Sequence, residues 1–149
     1  MTDLRALLEQ ASTVLLVDWS HQEVPATLTR AGYTVIVHGP DGYTHCDVTA
    51  TEPSDVTAGT AFPLEDGGWL VGQRLDILPA VIDIVAVYRP ADEQSSIAEQ
   101  AIDLGARTLW IQPGVDTSPD ARGIAESAGL TVIDGADIAD TVRELQISV

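Results

Sequence analysis

The sequence contains no lysine. Its seven basic residues are all arginine, set against 23 acidic residues for a formal net charge of -16. Schiff-base and lysine-nucleophile chemistry are therefore excluded. A surface this acidic repels nucleic acid and anionic lipid, so neither is an expected partner. There is one cysteine, Cys46, which rules out an internal disulfide framework. No apolar run approaches the roughly 20 residues needed to span a bilayer. The opening stretch "MTDLRALLEQAS" lacks the basic region and apolar core of a signal peptide. The cytoplasm is the expected compartment. Also missing is a G-x-G-x-x-G turn after the first strand, which argues against a nicotinamide dehydrogenase.

What is present is an alternation. Hydrophobic residues make up 45% and charged residues 20%, the balance of a folded domain. Leu4, Leu7 and Leu8 lie at helical spacing within Asp3 to Gln10, with Thr2 as the expected N-cap. Thr13 to Val17 is a short apolar run that suits a strand covered on both faces. Val24 to Ala31 reads as a helix ended by Gly32, and "YTVIVHGP" as a second buried strand. The stretch 41–68 is rich in Thr, Asp, Gly and Pro and reads as a long loop. A short strand around Thr44 to Val48 or a hairpin at Asp66-Gly67-Gly68 fits within it. A short helical turn is expected near Asp76 to Pro79.

The rest is regular. Strands are expected at Asp83 to Arg89, Thr108 to Gln112 and Leu130 to Asp134. Helices are expected at Asp92 to Leu104, Ser118 to Ala128 and Ile138 to Leu145, with Ser118 as an N-cap and Pro119 in the first turn. Strands alternating with helices predict an α/β fold, a doubly wound parallel sheet of about five strands in a three-layer αβα sandwich. One domain over 1–149 is expected, with an insertion at about 41–68. Ligands of such sheets bind beyond the C-terminal strand ends. That rule singles out Asp18 to Glu23, His38 to Asp41, Arg89 to Asp92, Gln112 to Ser118 and Asp134 to Asp137.

The second half carries a resemblance. Arg89, Gly105-Ala106, Leu109-Trp110, Gln112, Gly114-Val115 and Ala128-Gly129-Leu130 follow one another in order. This pattern resembles the small bacterial CoA-binding domain proteins, Rossmann-like relatives of the CoA-binding domain of succinyl-CoA synthetase. "LRALLEQASTVLLV" and "AGYTVIVHGP" are similar to the family as well. The resemblance implies a Rossmann-like fold and non-catalytic binding of CoA, acyl-CoA or another nucleotide-like ligand. In that picture Ser20 and the N–H groups after it meet the pyrophosphate. Arg89 neutralises charge, and the turn from Gln112 through Gly114 to Val115 contacts the adenosine half. The departures bear on function. Asp18 stands where the family has a glycine, the span from Asp18 to Gly32 is shorter, and Asp134-Gly135-Ala136-Asp137 lacks the family's basic residue and cysteine.

The residues themselves leave alternatives open. Asp18 and Ser20 could bind a ligand or only satisfy a tight turn, with Ser20 capping the next helix. Arg89 is the best anion-binding residue in the chain, or else it pairs with a neighbouring acid. Trp19 and Trp69 sit in expected loops and suit contact roles, whereas Trp110 reads as core. His38 and Pro40 flank the end of the second strand. His38, His45, Cys46 and Asp47 match no zinc spacing, and no metal site is expected. No nucleophile–base set is visible, so a binding module is favoured over an enzyme. The competing reading is a degenerate CoA-binding-like domain that serves as a protein-interaction or scaffold module. The chain's size is compatible with a homodimer.

Overall fold

The computed structural model describes residues 2–39, 42–53 and 61–149. Its centre is a single sheet of eight strands in the order β4-β5-β3-β2-β1-β6-β7-β8. Five of these are parallel: β1 (Thr13–Val17), β2 (Thr34–Gly39), β6 (Ile84–Val87), β7 (Thr108–Ile111) and β8 (Thr131–Ile133). The other three are antiparallel: β3 (Gly42–Thr49), β4 (Ala61–Pro63) and β5 (Trp69–Leu75). The parallel half matches the expected five strands, and the total is corrected to eight. The short strand allowed around Thr44 to Val48 is the middle of β3, which is longer than expected because its Thr and half-buried polar residues blur the strand signal at both ends, and β4 also falls within the stretch expected as a loop. The turn at Asp66-Gly67-Gly68 does join β4 to β5, closed by the Leu64 and Gly67 N–H groups. Asp76 to Pro79 holds bends and no helix.

Burial explains the layers. Every residue of β1, β6 and β7 is buried, as two-sided strands require. Helices α1 (Leu4–Gln10), α2 (Glu23–Arg30) and α5 (Ile138–Glu144) cover one face through Leu8, Val24, Leu28, Ile138 and Val142. Helices α3 (Ala91–Asp103) and α4 (Pro119–Ser127) cover the other through Ile97, Ala98, Ala101, Ala121 and Ala125. Trp110 is fully buried and donates its indole N–H to the Ala136 carbonyl at 2.8 Å. Among the described residues no helix is long and apolar enough to cross a membrane.

The helix ends show which local readings held. Ser118 caps α4 by accepting the Ala121 N–H at 3.1 Å, with Pro119 next. Asp3, not Thr2, caps α1, because its carboxylate reaches the Ala6 N–H. Gln22, not Ser20, is the N-cap position of α2, and no side chain bonds there. Gly32 ends that helix at φ 104°, where a Cβ would collide with the Val149 carbonyl oxygen.

At the N-terminal edge of β6, Asp83 ties three strands together. Its Oδ2 accepts the Ser12 N–H, the Ser12 hydroxyl and the Thr13 N–H at 2.8–3.1 Å. Burial alone would raise its pKa, but the Ser12 and Thr13 donors and the nearby Arg107 charge hold it below the usual carboxylate value. A depressed folded pKa stabilises the fold above the unfolded value of about 3.9. That contribution disappears as pH falls through the folded value. Asp83→Ala should cost about 1–2 kcal/mol at pH 7. The gap between variant and wild type should narrow steadily below about pH 4. Urea unfolding across that range measures both.

Candidate functional site

Order in the sheet decides where a site can form. The chain leaves β1 for β2 on one side, then returns to β6 on the other. At that switch point the connections part and open a crevice beyond the strand ends. An open cleft of about 900 Å³ lies there. Its floor is Val17 at the end of β1 and Asp18 and Trp19 after it, with His38 and Gly39 at the end of β2. Its wall is Arg89 and the first turns of α3, including Asp92, Glu93, Ser96, Ile97 and Gln100.

Charge in the cleft is organised around one guanidinium. Arg89 donates from Nη1 to Asp18 Oδ2 at 3.0 Å. From Nε and Nη2 it donates to Glu93 Oε2 at 3.1 and 2.6 Å. Glu93 first and Asp18 second make the Arg89 proton harder to remove. Asp18 also accepts the Trp19 N–H through Oδ1 at 2.8 Å. It adopts φ 64°, the left-handed region that favours glycine and that Asp tolerates better than most residues. The Trp19 indole donates to Gln22 at 3.3 Å, and the ring packs on the core.

Next to the cleft, His38 stacks on Tyr43 of β3 with ring centroids 4.5 Å apart. Tyr43 is held from α3 by Gln100, which donates to its hydroxyl at 2.6 Å. Two residues missed by sequence reasoning, Gln94 and Gln100, thus fix the cleft walls. Gln94 is wholly buried. Its amide donates to the carbonyls of Arg89 and Asp116 and accepts the Ser118 N–H, at 2.7–3.0 Å. It sits in register with Ile97, Ala98 and Ala101 on the inward face of α3. A polar residue on an apolar stripe was the signal available.

The structure thus brings together Asp18, Trp19, His38 and Arg89. Ser20 is exposed and outside the cleft lining. Pro40 lies outside the described residues. Gln112, expected at a ligand, is buried and spent on the fold. It accepts the Ile138 N–H at 2.8 Å and donates to Asp137 at 3.1 Å, fixing the start of α5. Gly114 has φ 100° and lies against the Tyr88 ring, which a Cβ would meet at 3.1 Å. Val115 packs on the core. Asp137 caps α5, and Asp134 accepts from Thr117 and Arg122. His45 and Cys46 belong to opposite faces of β3, as adjacent strand residues must. Burial, then the Asp47 charge, pushes the Cys46 thiol up to about 12, which leaves it inert as a nucleophile.

Residues 17–136 match the family model described as a CoA binding domain. The chain belongs to the CoA-binding domain family. Solved structures agree on the fold. A protein from Thermus thermophilus is 23% identical with a TM-score of 0.64, over 95% of this chain and 96% of its own. A protein from Pyrococcus horikoshii is 23% identical with a TM-score of 0.65, over 97% and 90%. A related chain described as redesigned for binding is 21% identical with a TM-score of 0.67, over 96% and 89%.

For a CoA-binding domain the cleft fits in part. Its volume suits a nucleotide, and one arginine fork lies at the switch point. Its charge opposes a pyrophosphate, since among the described residues three carboxylates line it against that single guanidinium. The walls depend on Gln94. Gln94→Ala strips partners from a buried N–H and two carbonyls, and should cost about 2–4 kcal/mol. Thermal unfolding of the variant checks this; a change in melting temperature under about 2 °C would contradict the role.

Proposed function

We propose that this protein binds CoA, or a related nucleotide-like ligand, in the strand-end cleft, without performing chemistry on it. The observation that carries this reading is the match of residues 17–136 to the CoA binding domain, with Arg89 at the switch point of the sheet. Acyl-CoAs are candidate ligands on the same grounds. Asp18, Trp19, His38 and Arg89 are the residues proposed to face the ligand. Arg89 would meet a phosphate through the Nη1 that pairs with Asp18, while Glu93 keeps Nε and Nη2 in place. Ser20, Gln112, Gly114 and Val115 are not placed at the ligand in this proposal.

A second reading is favoured by one observation. Arg89 is already paired on both sides, as in a site that has given up its ligand. The domain would then act as an interaction module, as a homodimer or with a different protein.

Thermal shift separates the two. With a dissociation constant of about 100 μM, 1 mM CoA stabilises by about 1.4 kcal/mol and raises the melting temperature by about 3–5 °C. Arg89→Ala should lose at least half of that shift. ATP and NAD serve as controls for nucleotide binding in general. Absence of a shift with every nucleotide, at ligand concentrations up to 10 mM, would favour the interaction module.

A further inference from the structure

A single carboxylate holds both donors that an anion at this strand end would use. Asp18 Oδ1 accepts the Trp19 N–H at 2.8 Å, the backbone donor of the turn after β1. Asp18 Oδ2 accepts Arg89 Nη1 at 3.0 Å, from the one arginine among the described residues lining the cleft. Open α/β sheets bind phosphate with just such a combination, a backbone N–H at the first turn and a nearby cation. The distances are those a phosphate oxygen would make to the same donors. Asp18, at a left-handed φ of 64°, thus joins its own turn to the residue that follows β6.

Resting on the CoA reading, we infer that Asp18 is a built-in competitor for the ligand's pyrophosphate. A ligand that places an oxyanion here must displace the carboxylate from Arg89 and Trp19, and must bear its charge if it stays nearby. A ligand, or part of one, that carries no phosphate meets no such opposition. Asp18 is therefore a specificity-determining residue that weakens binding in proportion to the anionic character of the ligand. Glu93 keeps the rest of the guanidinium in place throughout, through its two bonds at 3.1 and 2.6 Å.

Two substitutions separate charge from shape. Asp18→Asn keeps the size and an oxygen for the Trp19 N–H but removes the charge. Asp18→Gly removes the side chain and suits the positive φ. Isothermal titration of the full chain with CoA, inorganic pyrophosphate and adenosine reads the effect, with circular dichroism confirming each fold. CoA and pyrophosphate should bind about tenfold tighter to both variants, while adenosine changes by less than about twofold. Adding Arg89→Ala to Asp18→Gly should remove the gain. Equal CoA affinity in wild type and both variants would overturn the competition while leaving the CoA reading intact. An equal gain for adenosine would also overturn it, since the cause would then be space and not charge. CoA binding to no form at all would overturn both.

Discussion

Strand β1 is buried on both faces and bonded to β2 on one side and β6 on the other. That constraint governs the rest of the molecule. A strand without exposed surface has nowhere along its length to place chemistry, so its polar groups collect where it stops. The first such group is Asp18. Because β2 and β6 leave in opposite directions across the sheet, their connections separate above Asp18 and a crevice opens. Arg89 arrives there because β6 pairs with β1 in register, Val87 beside Val17. The ion pair between Asp18 and Arg89 is thus a consequence of strand register before it is a feature of a site.

A second constraint keeps the crevice in shape. The loops after β6 and β7 would be free to drift if nothing joined them. Gln94 joins them from below, holding the Arg89 carbonyl, the Asp116 carbonyl and the Ser118 N–H at once. The backbone of Arg89 is fixed by Gln94 while its side chain is fixed by Asp18 and Glu93. Gln112 performs the corresponding task one loop further on, between β7 and α5. Both glutamines are buried amides with their polar atoms matched, the condition under which such groups specify one arrangement of loops.

Much of this was legible in the sequence, for physical reasons that differ from part to part. The buried parallel strands announce themselves as apolar runs, and the helices by their caps and closing glycines. Strand β3 showed only in part, around Thr44 to Val48, because only Cys46 of its eight residues is buried and Thr, His and Asp imitate a loop. Asp18 stood out because it occupies a position that wants glycine, and its φ of 64° gives the reason. The alternative that Arg89 pairs with a neighbouring acid proved to be its actual state, with two acids and not one. Gln112 turns inward to the start of α5, and from sequence alone a polar residue at a strand end points equally well toward a ligand or toward the next helix. Only three-dimensional placement distinguishes the two.

The energetics of the central pair bear on why it is there. Arg89 and Asp18 are each roughly two-fifths exposed, at 39% and 43%. Ion pairs so open to solvent add little to folding. Holding a non-glycine residue in the left-handed region costs about 1 kcal/mol. The Trp19 N–H bond is of similar size and roughly offsets this cost. On stability alone, then, an aspartate at position 18 has no clear advantage over glycine. Its consequence lies elsewhere, in the charge met by anything that enters the cleft. In a chain with 23 acids and seven arginines, surface carboxylates are ordinary. One that takes up both the backbone donor of the first turn and a donor of the one arginine among the described residues lining the cleft changes which ligands that cleft admits.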